Sequence, residues 1–522
     1  MTVPHYDIAI IGFGPCGAVA AALLGQTGLR VLVVEKSRQI YDKPRAVAMD
    51  HEIMRVLQGC GVAAAVEPHT APFTVSERYG ADGQLLRRVG MLPPPYPMAW
   101  APTMAFHQPM VEKILRQRIA ALSAVEVRLG VELTALSQDA QGVELMLRDE
   151  DGATALARVR YAIACDGASS TVRRLLDIAV EDLGFNEPWL VIDLLAGKKG
   201  RGRLPAVSTH FCDPARPAMF VVCTGDHRRF EIMLKPGEDP QQMESEDVVW
   251  DVLSRWVARD EAQLWRRASY RFRALVAKQW RIGRVFLAGD AAHQQPPFLG
   301  QGWCQGVRDV CNLSWKLQQV FAGEAGEQLL DSYYAERNAH FRELTQTIMG
   351  MGRYLCELDP LVARARDAQL LAEAGGEIRT VLRQDLIPGL RLGFLSPHGH
   401  GACGTLFPQP WVEQHGRPLR LDDAAGGGWR VVLGDAALSW QPQVAAPLRL
   451  LRVAAGERAG VAGAWRETEG VLAAWFARHG VAAAIVRPDH YVYAVADSAA
   501  GLDAELGTLA AAWGGMQARQ VA

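Results

Sequence analysis

Short β-rich runs alternate with helical stretches from the start of the chain. Tyr6 to Ile11 is an apolar run of the kind that fills a buried parallel strand. Gly17 to Thr27 predicts a helix and Leu29 to Glu35 the next strand, so a β-α-β unit of about 30 residues closes by Glu35. Helical patterning returns from Asp50 to Cys60 and stops at Gly59 and Gly61. Pro93-Pro94-Pro95 with Pro97 predicts a loop, because consecutive prolines donate to neither a ladder nor a helix. Gln108 to Leu122 sets Val111, Ile114, Leu115 and Ile119 on one helical face.

From Val125 to Ala164 the pattern is strand-rich, ending in Tyr161-Ala162-Ile163-Ala164-Cys165. Between residues 180 and 275 the strands lengthen, alternate, and are broken by turns such as Pro214-Ala215-Arg216-Pro217, which predicts a mostly antiparallel sheet in a different domain. The parallel pattern returns at Arg284 to Gly289, followed by a long helix near Gly302 to Phe321. Helices are expected over 326–388, then a Gly- and Pro-rich entry from Pro388 to Pro418. Trp429 to Leu433, Leu448 to Val453 and Tyr491 to Val495 predict strands among helices in a last α/β unit.

At 522 residues the chain has room for about three to four such units. Its 55 Lys and Arg against 57 Asp and Glu lack the basic excess of a nucleic-acid binder, so no nucleic-acid partner is expected. No apolar run reaches the roughly 18 residues of a membrane span. The first apolar run is short, lacks a basic flank and leads into a Gly-rich turn, so it does not read as a secretion signal. Nine Cys with no Cys-x-x-Cys pair predict reduced thiols in a cytoplasmic protein with no metal site.

Three motifs carry chemistry. Gly12-Phe13-Gly14-Pro15-Cys16-Gly17 is a G-x-G-x-x-G between strand and helix, where Gly12 makes the turn, Gly14 admits a pyrophosphate and Gly17 allows close helix packing. The helix amino end offers free N–H groups to phosphate, and Glu35 closes the next strand where an acid binds ribose hydroxyls. The second is Cys165-Asp166-Gly167-Ala168-Ser169-Ser170-Thr171-Val172-Arg173, which by itself reads as an Asp-Gly turn with Ser170 or Thr171 as a helix cap. In the third, a buried strand delivers Gly289 and Asp290 into a turn, and Pro296-Pro297-Phe298-Leu299-Gly300-Gln301-Gly302 precedes a helix. Backbone N–H groups at that helix start suit a developing anion; the bland alternative is an ordinary cap.

In this order and spacing the three motifs resemble the single-component FAD-dependent aromatic hydroxylases, over about the first 390 residues. The local phrasing, including Pro44-Arg45-Ala46, Phe106-His107-Gln108-Pro109 and Asp213-Pro214-Ala215-Arg216-Pro217, is similar to the 3-(3-hydroxyphenyl)propionate hydroxylase and phenol hydroxylase-like branch. The resemblance implies an α/β fold with a Rossmann-like FAD-binding domain (1–75, 105–180 and 276–345) and an inserted, mostly antiparallel substrate sheet (76–104 and 181–275). A helical connection (346–395) and a C-terminal thioredoxin-like domain (396–522) follow, the latter without redox cysteines and suited to packing or homodimer formation.

By position the resemblance gives Gly12, Gly14, Pro15, Gly17, Glu35 and Lys36 to the ADP half of FAD. Arg45, Gln108, Asp166, Arg173, Gly289 and Asp290 go to its ribityl and phosphate region, Asp166 and Arg173 in a motif that also serves NAD(P)H. Pro297, Gly300, Gln301 and Gly302 would lie beside the flavin ring, and Trp303 either enters the substrate pocket or packs behind it. The implied reaction consumes NADH or NADPH and O₂ and transfers an OH from a flavin C4a-hydroperoxide to an electron-rich small aromatic ring. Candidates for a base are His210, Tyr270 and Glu231, and Arg216 and Arg229 for a substrate carboxylate. His293 is weighed as structural. Epoxidation or Baeyer–Villiger chemistry, and a non-catalytic escort of the same fold, are the competing readings; a halogenase lacks its Trp-x-Trp-x-Ile-Pro segment here.

Overall fold

A computed structural model describes residues 5–437, 439–441, 448–455 and 463–518. The first apolar run forms the strand His5–Ile11, which lies parallel to both Val31–Glu35 and Thr154–Ala164. Val125–Leu129 and Val285–Leu287 extend this parallel sheet on either side. Ile8, Ala9 and Ile10 are fully buried, so both sheet faces are covered and the strand shows no alternation. The following helix is Pro15–Gly25, two residues ahead of the sequence expectation, because Pro15 takes a first-turn position where its missing N–H costs nothing. Asp50 caps the helix His51–Gly59 by accepting from the Ile53 N–H at 3.2 Å.

A nine-stranded sheet stands against this lobe. Its centre is the long antiparallel pair Val180–Ala196 and Ala262–Ala277, flanked by His227–Met233, Ala218–Val222 and Ser208–Phe211. Val75–Tyr79 then runs parallel to Ser208–Phe211 and pairs with Leu85–Gly90. The helical expectation for 326–388 holds for Asp331–Leu355 and Pro360–Glu373 but is corrected at Arg379–Leu382, a strand beside Leu85–Gly90. Four residues paired to a distant segment leave no local periodicity to read.

The two faces of this sheet have different neighbours. Leu190, Ile192, Phe230 and Ile232 pack under the helix Glu246–Leu253. Trp189, Val191, Met219, Met233 and Phe272 pack against Phe298, Leu299 and the helix Asp331–Leu355, so this inner face looks toward the third motif.

The C-terminal part is a seven-stranded mixed sheet with the helices Val471–His479 and Ala499–Ala518, a thioredoxin-like α/β unit. It docks through buried charge. Arg487 donates to Glu336 and Asp489, each at 2.7 Å, and Trp315 donates to Asp489 at 3.0 Å. Tyr491 donates to Glu52 at 2.8 Å, and Arg55 pairs with Asp422. Among the described residues no helix is long and apolar enough to cross a membrane, and no His, Cys, Asp and Glu group is placed to hold a metal.

Candidate active site

The glycine turn is built by two collisions and one opening. Gly12 has φ +101°, and a Cβ there would lie 2.4 Å from the Cys165 carbonyl oxygen. A Cβ at Gly17 would meet the Gly12 oxygen at 2.0 Å, so the helix Pro15–Gly25 sits directly on the turn. At Gly14 nothing lies within 4 Å, which leaves its face open to a phosphate while the helix amino end carries no side-chain cap. Glu35 accepts from the N–H of Phe13 at 2.7 Å and of Ser37 at 2.8 Å. A carboxylate has about four lone-pair sites, so two remain for a diol. Lys36 is exposed beside it. The turn, helix end and acid fit the ADP half of FAD.

Next along the cleft, Arg45 is exposed and its loop is held from both lobes. Gln108 accepts from the N–H of Arg45 and Ala46 at 3.1 and 2.6 Å and donates to Glu112, so its buried amide positions the loop. From the sheet side Arg229 donates to the carbonyls of Arg45 and Pro44 at 2.7 and 2.6 Å, while Asp193 holds its guanidinium. Arg229 is therefore not free for a substrate carboxylate. Asp193 is held at about 2 despite its burial, by Arg229 and His227.

Asp166 spends Oδ2 on the N–H groups of Thr171 and Val172, at 2.7 and 3.1 Å, while its Oδ1 is buried without a partner. Of the two candidate caps Ser170 serves, accepting from Arg173 N–H at 3.0 Å. The Arg173 guanidinium staples the second motif to the third through the carbonyls of Ala291 and Ala168. Gly289 at φ +60° turns Asp290 outward, and its carboxyl is solvent-reachable although surrounded by protein, which raises its pKa. Arg45 and His293 act against that rise.

Gly300 at φ +58° turns the chain into the 20-residue helix Gly302–Phe321. The space off Gly302 is open and the helix has no side-chain cap, so its N–H groups face the cleft. Pro297, Gly300 and Gly302 keep accessible surface there. Gln301 does not: its buried amide donates to Asp50 and accepts from Arg308, so only its backbone belongs to the cleft. Trp303 stacks on Phe106 with centroids 4.6 Å apart in the core of the first lobe. As the second residue of the helix it points back toward the strand Thr103–Phe106, which removes it from the substrate candidates. His293 pairs at 2.6 Å with Asp309, which also accepts from Gly289 N–H and Arg337.

On the inner sheet face the register sets Arg78, His210, Met219, Glu231 and Val191 side by side across five strands. Glu231 is buried, its Oε2 has no partner, and burial pushes its pKa up to about 7. His210 is held at about 3 by burial and by the cations of Arg78 and Arg383. Two candidates drop out. Arg216 is clamped by both Glu238 oxygens at 2.7 Å within its own hairpin. Tyr270, opposite Trp189 in the register, is 41% exposed and its hydroxyl is taken up by Arg266. Arg78, Arg383 and Asp193 escaped the sequence reading, since charged residues in alternating strands or an expected helix read as solvated.

Comparison with known proteins bears on this cleft directly. The FAD binding domain family matches residues 5–347, and the HcaD C-terminal domain family matches residues 404–512. The chain is 35% identical over 520 residues to a probable NADH-specific resorcinol 4-hydroxylase of Rhodococcus jostii, covering 95% of this chain and 93% of that one. It is 37% identical over 367 residues to a 3-(3-hydroxy-phenyl)propionate/3-hydroxycinnamic acid hydroxylase of Comamonas testosteroni, covering 70% and 61%. The crystal structure of aklavinone-11 hydroxylase with FAD and aklavinone superposes with a TM-score of 0.77 at 25% identity, over 98% of this chain and 99% of that one. With its glycine turn, aspartate turn and helix amino end facing one cleft, the chain belongs to the FAD binding domain family and is an FAD-dependent aromatic-ring monooxygenase.

Proposed function

We propose that the chain hydroxylates a phenolic ring, taking electrons from NADH and oxygen from O₂, with Glu231 as the group that accepts the phenol proton. FAD bound in the cleft supplies the redox chemistry that couples reduced nicotinamide and O₂ to ring hydroxylation. The open backbone at Gly14 and the free N–H groups of the helix turn that Pro15 begins would hold its pyrophosphate, with Gly12 and Gly17 shaping that turn, Glu35 and Lys36 would hold its adenosine end, and Arg45 and Asp290 the ribityl stretch. The N–H groups at Gly300 to Gly302 would favour the anionic edge of the reduced ring, aided by the helix dipole.

The observation that carries this reading is Glu231, a buried carboxyl with an unpartnered oxygen on the sheet face opposite the helix amino end. Its pKa of about 7 suits a base that works at neutral pH. Withdrawing the phenol proton raises electron density on the ring, which electrophilic oxygen transfer requires. Apolar neighbours Trp189, Met219, Phe298 and Leu299 keep water from the reacting atoms. NADH is preferred because a relative similar over nearly the whole chain is named NADH-specific.

The test is NADH oxidation by FAD-loaded protein with a panel of phenols, followed by mass analysis of products formed under ¹⁸O₂. One labelled ring oxygen per NADH is expected. Peroxide released in stoichiometric amount with every phenol, or ring-expanded product, overturns the reading.

A further inference from the structure

Nine arginines are buried among the described residues, and seven of them have a carboxylate partner. Arg229 and Arg266 share Asp193, and Arg55 and Arg430 share Asp422. Arg308, Arg337 and Arg487 take Asp50, Asp309 and Glu336. Arg78 and Arg383 are the two left over. A buried guanidinium without a counter-charge is costly, and the other seven among the described residues avoid it.

The two exceptions converge on one place. Arg78 is 8% exposed, registers directly beside His210 across the sheet, and has the Tyr354 ring 4.8 Å from its guanidinium carbon. Arg383 is 9% exposed; it donates to the Leu299 carbonyl, and its Nε is buried without a partner. One of its terminal nitrogens would lie 3.6 Å from a Cβ at Gly300, so it borders the loop that enters the helix Gly302–Phe321. Arg78 is the direct cross-strand neighbour of His210, Arg383 is tied to Leu299, which packs on the same sheet face as Met219 beside His210, and both cations disfavour protonation of the imidazole. His210 is enclosed by protein yet keeps solvent-accessible surface, so the cleft reaches it.

We propose that Arg78, Arg383 and His210 form an anion subsite that takes the carboxylate of a phenolic acid, making the preferred substrate an aryl acid rather than a neutral phenol. This rests on the reading of the cleft as an aromatic hydroxylase site and adds which substituent it selects. The uncharged imidazole supplies a hydrogen bond between two fixed cations, and the guanidinium fork matches a carboxylate. Glu231 stands two strands further along the same row, about 9.5 Å away at the backbone by ordinary strand spacing. An aromatic ring with a short acidic side chain spans that gap, its hydroxyl toward Glu231 and its carboxylate toward the arginines.

The experiment titrates the FAD-loaded enzyme with 3-(3-hydroxyphenyl)propionate, with its neutral counterpart 3-ethylphenol, and with resorcinol, following the flavin absorbance change. The acid is expected to bind at least tenfold more tightly than 3-ethylphenol in the wild type. Arg78→Gln and Arg383→Gln each remove most of that preference and shift 3-ethylphenol less than twofold, and Arg78→Lys restores part of it. The wild-type comparison needs no variant to fold. Equal or tighter binding of the neutral phenols overturns the anion subsite while leaving the hydroxylase reading intact. If none of the three perturbs the flavin or stimulates NADH oxidation, the hydroxylase reading falls and the subsite with it.

Discussion

Replacing Glu231 with Gln removes a single proton-binding group from a buried position and keeps the size of the side chain. In the unfolded chain this carboxyl releases its proton near its ordinary 4.5; in the folded protein burial delays release to about 7. Between those values the folded state holds more protons than the unfolded one, so folding weakens as pH rises and the full loss is reached above about 7. At 1.36 kcal/mol per unit the loss comes to about 3 kcal/mol, all of it present at pH 8 and little of it at pH 5. Glu231→Gln is therefore expected to stabilise the FAD-loaded protein at pH 8 and to change it little at pH 5, read from urea unfolding at both values. The same substitution removes the proton acceptor. Wild-type kcat/KM with a phenol should rise tenfold per unit below about pH 7 and then level off. In Glu231→Gln the curve flattens and lies about 10²- to 10⁴-fold lower. A variant that keeps the wild-type inflection, or shows equal stability differences at pH 5 and pH 8, refutes the assignment of this carboxyl as the titrating base.

The glycine fingerprint yields a paired test: Gly14→Ala meets no atom within 4 Å and should fold with unchanged thermal stability but bind FAD at least tenfold more weakly. Gly17→Ala drives a methyl into the Gly12 oxygen and should fail to accumulate as soluble holoprotein. Glu336→Gln leaves Lys316 buried without its charge partner and Arg487 with Asp489 alone, a loss of about 3–5 kcal/mol, seen as faster proteolytic release of the C-terminal unit. Because Glu336 is held at about 2, that stabilisation is complete above its unfolded value and fades only as pH falls toward 2. Ser170→Ala should cost about 1 kcal/mol through loss of the cap on the helix Thr171–Leu175, measured as a lowered unfolding midpoint.

The parts of the site readable in the sequence are those whose chemistry is local. A glycine that must adopt positive φ, such as Gly12 or Gly289, is marked by its own residue type and by the strand before it. The helix Gly302–Phe321 was legible to the residue because Gly300 and the prolines before it leave no other start. Side-chain direction was not. Gln301 and Trp303 flank Gly302, yet one turns to Asp50 and Arg308 and the other to Phe106, choices made by segments far away in the chain. Arg216 looked available only because Glu238 lies beyond two intervening strands, Ala218–Val222 and His227–Met233. Glu231 was named with His210 and Tyr270 as one of three, and long-range surroundings separate them: Glu231 is buried with an unpartnered oxygen, His210 lies beside the Arg78 cation, and the Tyr270 hydroxyl is taken up by Arg266.

The docking of the C-terminal unit has a consequence for how the molecule can be cut or exchanged. Glu52 and Arg55 lie on the helix just after Asp50, and their partners Tyr491 and Asp422 belong to the far end of the chain. Glu52 also steadies Arg308, which grips the residue preceding Gly302. Trimming the tail would therefore bare charges directly behind the helix Gly302–Phe321, and a tail borrowed from another protein would have to supply the same hydroxyl and carboxylate at the same spots. What looks like an appendage is a brace behind the helix Gly302–Phe321.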